Sequence, residues 1–266
     1  MSALHSSYLL AIETIGRSGS LALTCVPSEV GHEANELSMA RSAIYRFRSL
    51  PDDRRTAVTV TEQIKRLLED SEIDTPGESL VGIGVSIGPG SFTGIRIGVA
   101  TAKALGYAWH LPVFPVDSLA AHVEDACFSK ELSVDSIVSS TINAYRGQWY
   151  AQSYLCKDTS SKPPQSLVST PESWMKTLAD LKRDPANSEK TIWLAGDPEI
   201  TQPLQSQLEG SQVAAPHELA AAVGRLALVG HLRGNGEQAM NITPKYIRPS
   251  AAEEKLNDSP NTKDSP

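Results

Sequence analysis

The stretch that decides the fold runs from Val81 to Gly106 and reads VGIGVSIGPGSFTGIRIGVATAKALG. It holds seven of the 18 glycines and changes character at a Gly-Pro-Gly turn. The segment before the turn, Leu80–Ile87, is almost wholly apolar, which predicts a strand buried on both faces. The segment after it predicts a helix over Gly94–His110. A buried strand, a glycine turn and a helix in this order are typical of an α/β fold.

The segments around this unit predict the rest of a first lobe. Tyr8–Thr14 and Ser20–Val26 are apolar, β-prone and joined by a short segment with two glycines, which indicates a hairpin. Met39–Arg48 predicts a third strand, antiparallel to the second. Apolar residues at helical spacing predict a helix over Thr56–Ser71, and Pro112–Val116 predicts a fifth strand. Three antiparallel strands followed by two parallel strands with helical crossovers is the order of a ribonuclease-H-like domain.

The second half repeats part of this order with shorter elements. Its predicted helices and strands are Leu119–Phe128, Val134–Thr141, Gln148–Leu155, Pro171–Leu181, Thr191–Ala195, Pro198–Leu208 and His217–Arg233. Two related lobes with mixed sheets predict an actin-like (ASKHA), duplicated ribonuclease-H-like α/β fold. We expect a flexible N-terminus over 1–7, a first lobe over 8–117 with 217–249 packing back on it, a second lobe over 118–216, and a disordered tail over 250–266.

Composition excludes several classes of protein. The chain has 266 residues, with 24 Lys and Arg against 31 Asp and Glu and a net charge of −7. An acidic chain is a poor binder of polyanions on its own, because Lys and Arg supply most of the affinity for nucleic acid. Cys25, Cys127 and Cys156 are too few for a disulfide framework, which favours a reduced, cytoplasmic setting. The N-terminus lacks a basic n-region, and no apolar run is long enough to span a membrane.

The glycine turn fails both common nucleotide motifs. No Lys follows a glycine at the spacing of a Walker loop, and the third glycine of a GxGxxG pattern falls one residue late, at Gly94. Two interpretations stay open: a tight strand-to-helix turn with a hydroxyl N-cap, or a direct ligand contact. The candidate turn and cap residues are Gly88, Pro89, Gly90, Ser91 and Thr93.

Catalytic and metal-binding signals are sparse. The six histidines include no HxxH, HxxxH or HExxH pair, and no GxSxG elbow occurs, so we predict no catalytic residue, no metal site and no cofactor. Glu13 closes the first strand where an actin-like ATPase places an Asp that organises its metal, ahead of a vestigial nucleotide hairpin. That hairpin keeps Gly16, Gly19 and Ser20. Glu13 is either an exposed acid at a strand end or part of a site for Mg-ATP.

The predicted helix after the glycine turn carries a stripe of small residues. Gly94, Gly98 and Ala102 recur every four residues, which lets another backbone approach closely. The stripe packs either on the protein's own sheet or on a helix of a neighbouring subunit. The residues that we predict at a partner interface are Gly94, Ile95, Gly98, Ala102, Val60, Ile64 and Leu67.

Four motifs together resemble the bacterial TsaB (YeaZ) family. They are LLAIETIGRSGSLAL, SIGPGSFTGIRIGVATAKALGYAWHLPVFPVDSLAA, INAYRGQWY and PKYIR, and the resemblance covers roughly residues 8–249. This sequence departs from the family at Glu13, where Asp is usual, and at Asn143 and Gln148, where acids are usual.

The resemblance implies a function without catalysis. It implies a subunit that binds and activates TsaD, a catalytic relative of the Gcp glycoprotease family, when N6-threonylcarbamoyladenosine is made at position 37 of tRNAs reading ANN codons. It further implies a TsaE-like ATPase as partner, a homodimer when TsaD is absent, and contact with tRNA only through the complex. The competing hypothesis is a nucleotide-dependent phosphotransferase or ATPase of the actin-like fold. A metalloprotease, suggested by the name glycoprotease, lacks ligands here.

Overall fold

The computed structural model describes residues 7–16, 19–27, 40, 43–51, 56–133, 135–155 and 167–248. Its first sheet has five strands in the order β3-β2-β1-β4-β5. They are β1 (Ser7–Glu13), β2 (Ser20–Val26), β3 (Ile44–Ser49), β4 (Leu80–Gly88) and β5 (Val113–Asp117). β1 pairs antiparallel with β2, as β2 does with β3, whereas β1, β4 and β5 run parallel. This is the predicted ribonuclease-H-like arrangement.

The second sheet repeats the first. Its strands are β6 (Ile137–Asn143), β7 (Trp149–Leu155), β8 (Leu167–Ser169), β9 (Ile192–Gly196) and β10 (Gln212–Ala214). Their order in the sheet is β10-β9-β6-β7-β8. When β6 to β10 are matched in chain order to β1 to β5, this is the order of the first sheet read from its opposite edge. The predicted duplication is therefore confirmed at the level of topology.

Seven α-helices lie within the described residues. They are α1 (Thr56–Glu69), α2 (Pro76–Ser79), α3 (Phe92–Ala108), α4 (Ser118–Ser129), α5 (Pro171–Arg183), α6 (Pro198–Gln207) and α7 (Leu219–Leu232). A 3-10 turn, Ala239–Asn241, follows α7. The sequence missed α2, β8 and β10, which have only three or four residues each.

The helices and sheets alternate in layers. α1 and α3 cover one face of the first sheet, where Ile83 and Val85 of β4 are fully buried. α7 covers the opposite face through its alanines. α4 packs on the second sheet and also on α7, and α5 and α6 cover that sheet's far side. The inner layer of α4 and α7 therefore joins the two lobes.

A fully buried ion pair ties this inner layer together. The Nε of Arg225 on α7 donates to the Oε1 of Glu124 on α4 at 2.9 Å, and both side chains are fully buried. The Arg225 guanidinium also lies 4.2 Å from the centroid of the Phe128 ring. Removing one partner of such a pair leaves a buried charge uncompensated, so the two helices depend on each other.

The structure bears on two expectations from the sequence, one about the state of the cysteines and one about membrane-spanning helices. Cys25 is a free thiol, whereas buried Cys127 is disulfide-bonded, so the expectation of reduced cysteines is wrong for Cys127. None of the helices in the described ranges is long and apolar enough to cross a bilayer. The predicted flexible start and the tail from 250 onward fall outside the described residues, apart from Ser7.

Candidate functional site

A cleft of about 780 Å³ opens between the two lobes. The first lobe contributes the β1–β2 turn, the end of β4 and the start of α3, and the inner helix α4 contributes its first residues. The second lobe contributes the β6–β7 turn and the start of α6. Because β1, β4 and β5 are parallel, their carboxyl ends meet at one edge, which is where open α/β sheets bind ligands.

Glu13 ends β1 at the floor of this cleft. Its side chain is 3% exposed, so the interpretation of Glu13 as an exposed acid is wrong. The backbone N–H groups of Ile15 and Gly16 donate to Oε1 at 2.6 and 2.8 Å, whereas Oε2 has no partner among the described residues. Burial raises the pKa of this carboxyl, the two N–H groups oppose that rise, and the nearby Asp197 carboxylate adds to it.

The vestigial hairpin residues have structural contacts. The Ser20 hydroxyl oxygen accepts a hydrogen bond from the backbone N–H of Ala220 at 3.1 Å, so it holds the start of α7. A side chain at Gly19 would meet the carbonyl oxygen of Glu13 at 2.9 Å. Gly16 offers its N–H to Glu13. These three residues line the cleft, but the contacts they make lie within the chain.

The glycine turn brings the end of β1 against the start of α3. Gly88 and Gly90 have φ values of 116° and 149°, which side chains rarely adopt. A Cβ on Gly90 would lie 2.1 Å from Ile15, so only glycine fits. Ser91 is the N-cap and accepts from the N–H of Gly94 at 3.3 Å, whereas Thr93 lies exposed inside the helix. These contacts favour the structural interpretation of the turn, which also contains Pro89.

The small-residue stripe faces inward. A Cβ on Gly94 would lie 2.1 Å from the Thr14 carbonyl oxygen, and one on Gly98 would lie 2.5 Å from the Thr14 hydroxyl. The seven predicted interface residues are all buried in the chain's own core: Gly94, Ile95, Gly98, Ala102, Val60, Ile64 and Leu67. The prediction that these side chains contact a partner is therefore wrong, because β1 and the core already cover them.

The β6–β7 turn forms the opposite wall of the cleft. The Asn143 backbone N–H donates to the Asp197 carboxylate at 2.8 Å, and its side-chain amide donates to Glu199 at 3.1 Å. The Asn143 side-chain oxygen accepts from the Tyr145 N–H at 2.7 Å. Arg146 follows at the tip of the turn and has a positive φ. An amide at 143 serves this wall because it donates and accepts at once, which a carboxylate does not.

Three further residues of the cleft carry polar groups that the sequence analysis did not identify as site residues. His122 on α4 is buried, and burial lowers its pKa, although three aspartates oppose that effect. The hydroxyls of Ser86 and Ser118 are buried and have no hydrogen-bond partner in the part of the chain that the structure describes. The signal for Ser86 was available, because it interrupts an otherwise apolar strand.

The segment Pro244–Arg248, which we term the strap, crosses the end of the first sheet. The Lys245 N–H donates to the Ile87 carbonyl at 2.8 Å, and its ammonium lies 2.6 Å from the Asp117 carboxylate. The Tyr246 ring stacks on Phe92 at 4.3 Å between centroids. Arg248 donates to the Ala144 carbonyl of the second lobe at 3.4 Å. The strap therefore contacts both lobes behind the glycine turn.

Two lobes of one topology around a shared cleft define an α/β protein of the two-lobed actin-like class. The family model described as "TsaD: tRNA N6-adenosine threonylcarbamoyltransferase" matches residues 53–254. The chain belongs to this family, and within it to the TsaB (YeaZ) proteins related to TsaD.

Individual relatives agree with this assignment. The tRNA threonylcarbamoyladenosine biosynthesis protein TsaB of Haemophilus influenzae is 29% identical over 178 residues, which are 64% of this chain and 70% of that protein. TsaB of Bacillus subtilis is 26% identical over 206 residues, 75% of this chain and 82% of that protein. The solved structure of YeaZ from Pseudomonas aeruginosa has a TM-score of 0.67 at 22% identity, covering 91% of this chain and 100% of that one. That structure supports the fold alone.

Proposed function

We propose that this chain is an accessory subunit in the formation of N6-threonylcarbamoyladenosine on tRNA. In this role it binds a TsaD-like catalytic subunit in the cytoplasm and holds it in its active form, without catalysing the transfer itself. The observation that supports this proposal is that the chain belongs with the TsaB proteins, which are named for this biosynthesis. A TsaE-like ATPase and a second copy of this chain are further partners that we propose on the same ground.

The sparse chemistry of the cleft supports a role without catalysis. Within the described residues, no cluster of three or more His, Cys, Asp or Glu is placed to hold a metal ion. The hydroxyls and amide groups of the nucleotide-type hairpin serve internal contacts, as Ser20 and Gly16 illustrate. The cleft has three acids and no Lys or Arg among its described lining, an environment that disfavours a bare triphosphate. The phosphotransferase hypothesis therefore has less support.

The docking surface that we propose is the outer face of α3. With the inner stripe covered, the outward side of the same helix carries Ala100, Ala104 and Ala108 at four-residue spacing, all exposed. Tyr107 lies beside them, 70% exposed, and Val58 on the neighbouring α1 is 71% exposed. Small exposed residues next to a large aromatic one let a second helix approach closely and then bury the ring, which is how helix pairs gain contact area.

The test is co-purification with the cognate TsaD-like protein. We expect Ala104→Glu to lower the affinity at least tenfold, because the variant places a charge in the middle of an apolar helix contact. The thermal stability of the isolated chain should change little, because Ala104 is exposed. Size-exclusion chromatography with light scattering and isothermal titration calorimetry measure the complex.

Thr177→Glu is the matched control. Thr177 is exposed on α5 of the second lobe, so this variant adds the same charge to a helix surface far from α3. It should bind the partner as the unmodified chain does. Equal binding by all three chains would contradict the proposed surface. Threonylcarbamoyl transfer by this chain alone, free of TsaD, would contradict the proposed function.

A further inference from the structure

The turn that follows α7 contains the pair Asn235-Gly236. The sequence has seven asparagines, and Asn235 is the one that a glycine follows. Gly234, with a φ of 70°, ends the helix, and its N–H donates to the His231 carbonyl at 3.0 Å. The Asn235 N–H donates to the Gly230 carbonyl at 2.9 Å. These two bonds form a Schellman motif, which fixes the backbone as far as Asn235.

Both functional groups of this pair are accessible. Asn235 and Gly236 are exposed, and neither the Asn235 side-chain amide nor the Gly236 N–H forms a hydrogen bond within the described part of the chain. Asn143 and Asn187, by contrast, engage their side-chain amides with neighbouring residues. Glycine matters at 236 because it has no side chain to shield its nitrogen from the amide carbon of the preceding residue.

We propose that Asn235 is a site of spontaneous deamidation, which converts it to aspartate and isoaspartate. The Gly236 nitrogen attacks the side-chain carbonyl carbon of Asn235, and the amide nitrogen leaves as ammonia together with the Gly236 proton. The product is a five-membered succinimide ring, which water then opens. Cleavage of the new C–N bond gives aspartate, whereas cleavage of the original peptide bond gives isoaspartate, in which the chain continues through the side-chain carbon. No oxidant or reductant is consumed, and the chain gains one negative charge.

The two products place different demands on the surrounding structure. Gly236 lies against β5, where a Cβ would meet Pro112 at 2.9 Å and Phe114 at 3.1 Å. The next residue, Glu237, exchanges two backbone hydrogen bonds of 2.9 Å with Val113 of β5. Aspartate leaves this backbone unchanged. Isoaspartate inserts one extra carbon directly before Gly236, and close packing against β5 resists the displacement, so the bridge between Glu237 and Val113 is weakened.

The segment after the bridge carries this change towards α3 and the strap. Ala239 lies against Gly106 of α3, and the Lys103 ammonium donates to the Ile242 carbonyl at 3.0 Å. The strap begins two residues later. Because Glu237 anchors the start of this segment on the sheet, its release loosens the contacts that follow. The isoaspartyl chain also carries a new α-carboxylate, the group that a repair methyltransferase methylates with S-adenosylmethionine.

The test ages the full chain at pH 8 and follows deamidation by peptide mass spectrometry, with electron-transfer fragmentation to distinguish isoaspartate from aspartate. We expect the peptide with Asn235 to gain about 1 Da at least tenfold faster than the peptides with Asn187 or Asn241, and both products to form. An isoaspartyl methyltransferase should then transfer a labelled methyl group to the aged chain. A gain at Asn235 no faster than at the other two asparagines would overturn the proposal.

Ser188→Gly is the matched control for accessibility. It creates a second Asn-Gly pair at Asn187, whose side-chain oxygen accepts from the Lys190 ammonium at 3.1 Å. We expect Asn187 in this variant to deamidate more slowly than Asn235 of the same chain. Equal rates at the two pairs would show that sequence alone, and not the exposed and unbonded turn, sets the reactivity.

Asn235→Asp separates the added charge from the altered backbone. This variant should melt as the unmodified chain does and keep slow hydrogen exchange at the amides of Glu237 and Val113, because its backbone is unchanged. The isoaspartyl form should exchange these two amides at least tenfold faster. Equal exchange in the two forms would overturn the proposed effect on the bridge. None of these measurements involves a catalytic partner, so their outcome is independent of the proposed function.

Discussion

At the scale of single residues, the contact between Thr14 and α3 fixes how the first lobe packs. Gly94 faces the Thr14 carbonyl oxygen, which belongs to the backbone and cannot move aside. Gly98 faces the Thr14 hydroxyl, which can rotate but is held by its bond to the Gly94 carbonyl. Both glycines are buried. Glycine has a lower helix propensity than alanine, but it allows this close approach because it has no side chain.

We expect Gly94→Ala to destabilise the chain by more than about 3 kcal/mol and Gly98→Ala by about 1–3 kcal/mol, the usual range for overpacking. Urea unfolding followed by circular dichroism measures both free energies of unfolding. Gly77→Ala on α2 is the control, because its Cβ would meet the Trp109 carbonyl at an ordinary 3.4 Å. It should be neutral or stabilising. A smaller loss at position 94 than at 98 would contradict this account of the packing.

At the scale of elements, an acid on α4 fixes where α7 begins. The Asp125 carboxylate is 2% exposed and accepts from the backbone N–H groups of His217 and Glu218 at 2.8 and 3.1 Å. Helix starts carry N–H groups without partners inside the helix, and a neighbouring acid satisfies them here. Contact between α4 and α7 across the inner layer thus depends on hydrogen bonds as well as on apolar packing.

Asp125→Ala should lower the free energy of unfolding by about 1–3 kcal/mol, because it leaves two N–H groups without an acceptor. Asp125→Asn retains one carbonyl acceptor of the same shape and should lose less. Chemical denaturation of the three chains measures the difference. If the alanine and asparagine variants lose the same amount, the lost charge rather than the lost acceptor explains the effect.

The spacing of apolar residues predicted most helices and strands well, but it did not predict which residues pack against each of them. The first lobe's strands and the α3 helix follow from apolar runs and the glycine turn, and α3 begins two residues earlier than predicted because Ser91 rather than Thr93 is its cap. β8 and β10 have three residues each, too few to show alternation. The sequence identified the small-residue stripe but not what covers it, because that depends on β1, some 80 residues away. Ser86 stands out in the sequence because it interrupts an apolar run, but the lack of a hydrogen-bond partner for its hydroxyl among the described residues depends on contacts from distant segments and could not be predicted.

At the scale of the whole molecule, the strap and the inner helices both connect the two lobes. α4 and α7 form the layer between the sheets, while the strap spans from Lys245 at the end of the first sheet to Arg248 at the β6–β7 turn. Lys245 and Arg248 contact Ile87, Asp117 and Ala144, each of which is next in sequence to a residue of the cleft lining. Tyr246 stacks on Phe92 at the start of α3. One five-residue segment therefore connects the proposed docking helix with residues beside the cleft.

The acid at the cleft floor makes the stability of the whole chain depend on pH. Burial raises the pKa of Glu13 in the folded chain above its ordinary value of 4.5, so the folded state holds this proton at a pH where the unfolded state has lost it. Stability therefore falls as pH rises from about 4.5 through the raised pKa. His122 acts in the opposite direction, since its lowered pKa costs stability as pH falls below 6.5.

Glu13→Gln isolates the first effect, because glutamine keeps an acceptor for the Ile15 and Gly16 N–H groups and does not titrate. We expect this variant to melt at a higher temperature than the unmodified chain at pH 8, with the difference shrinking toward pH 5. The contribution of His122 is common to both chains and cancels in the difference. A Glu13→Gln difference that is constant with pH, or largest in acid, would mean that the buried carboxyl is not held in its protonated form by the fold.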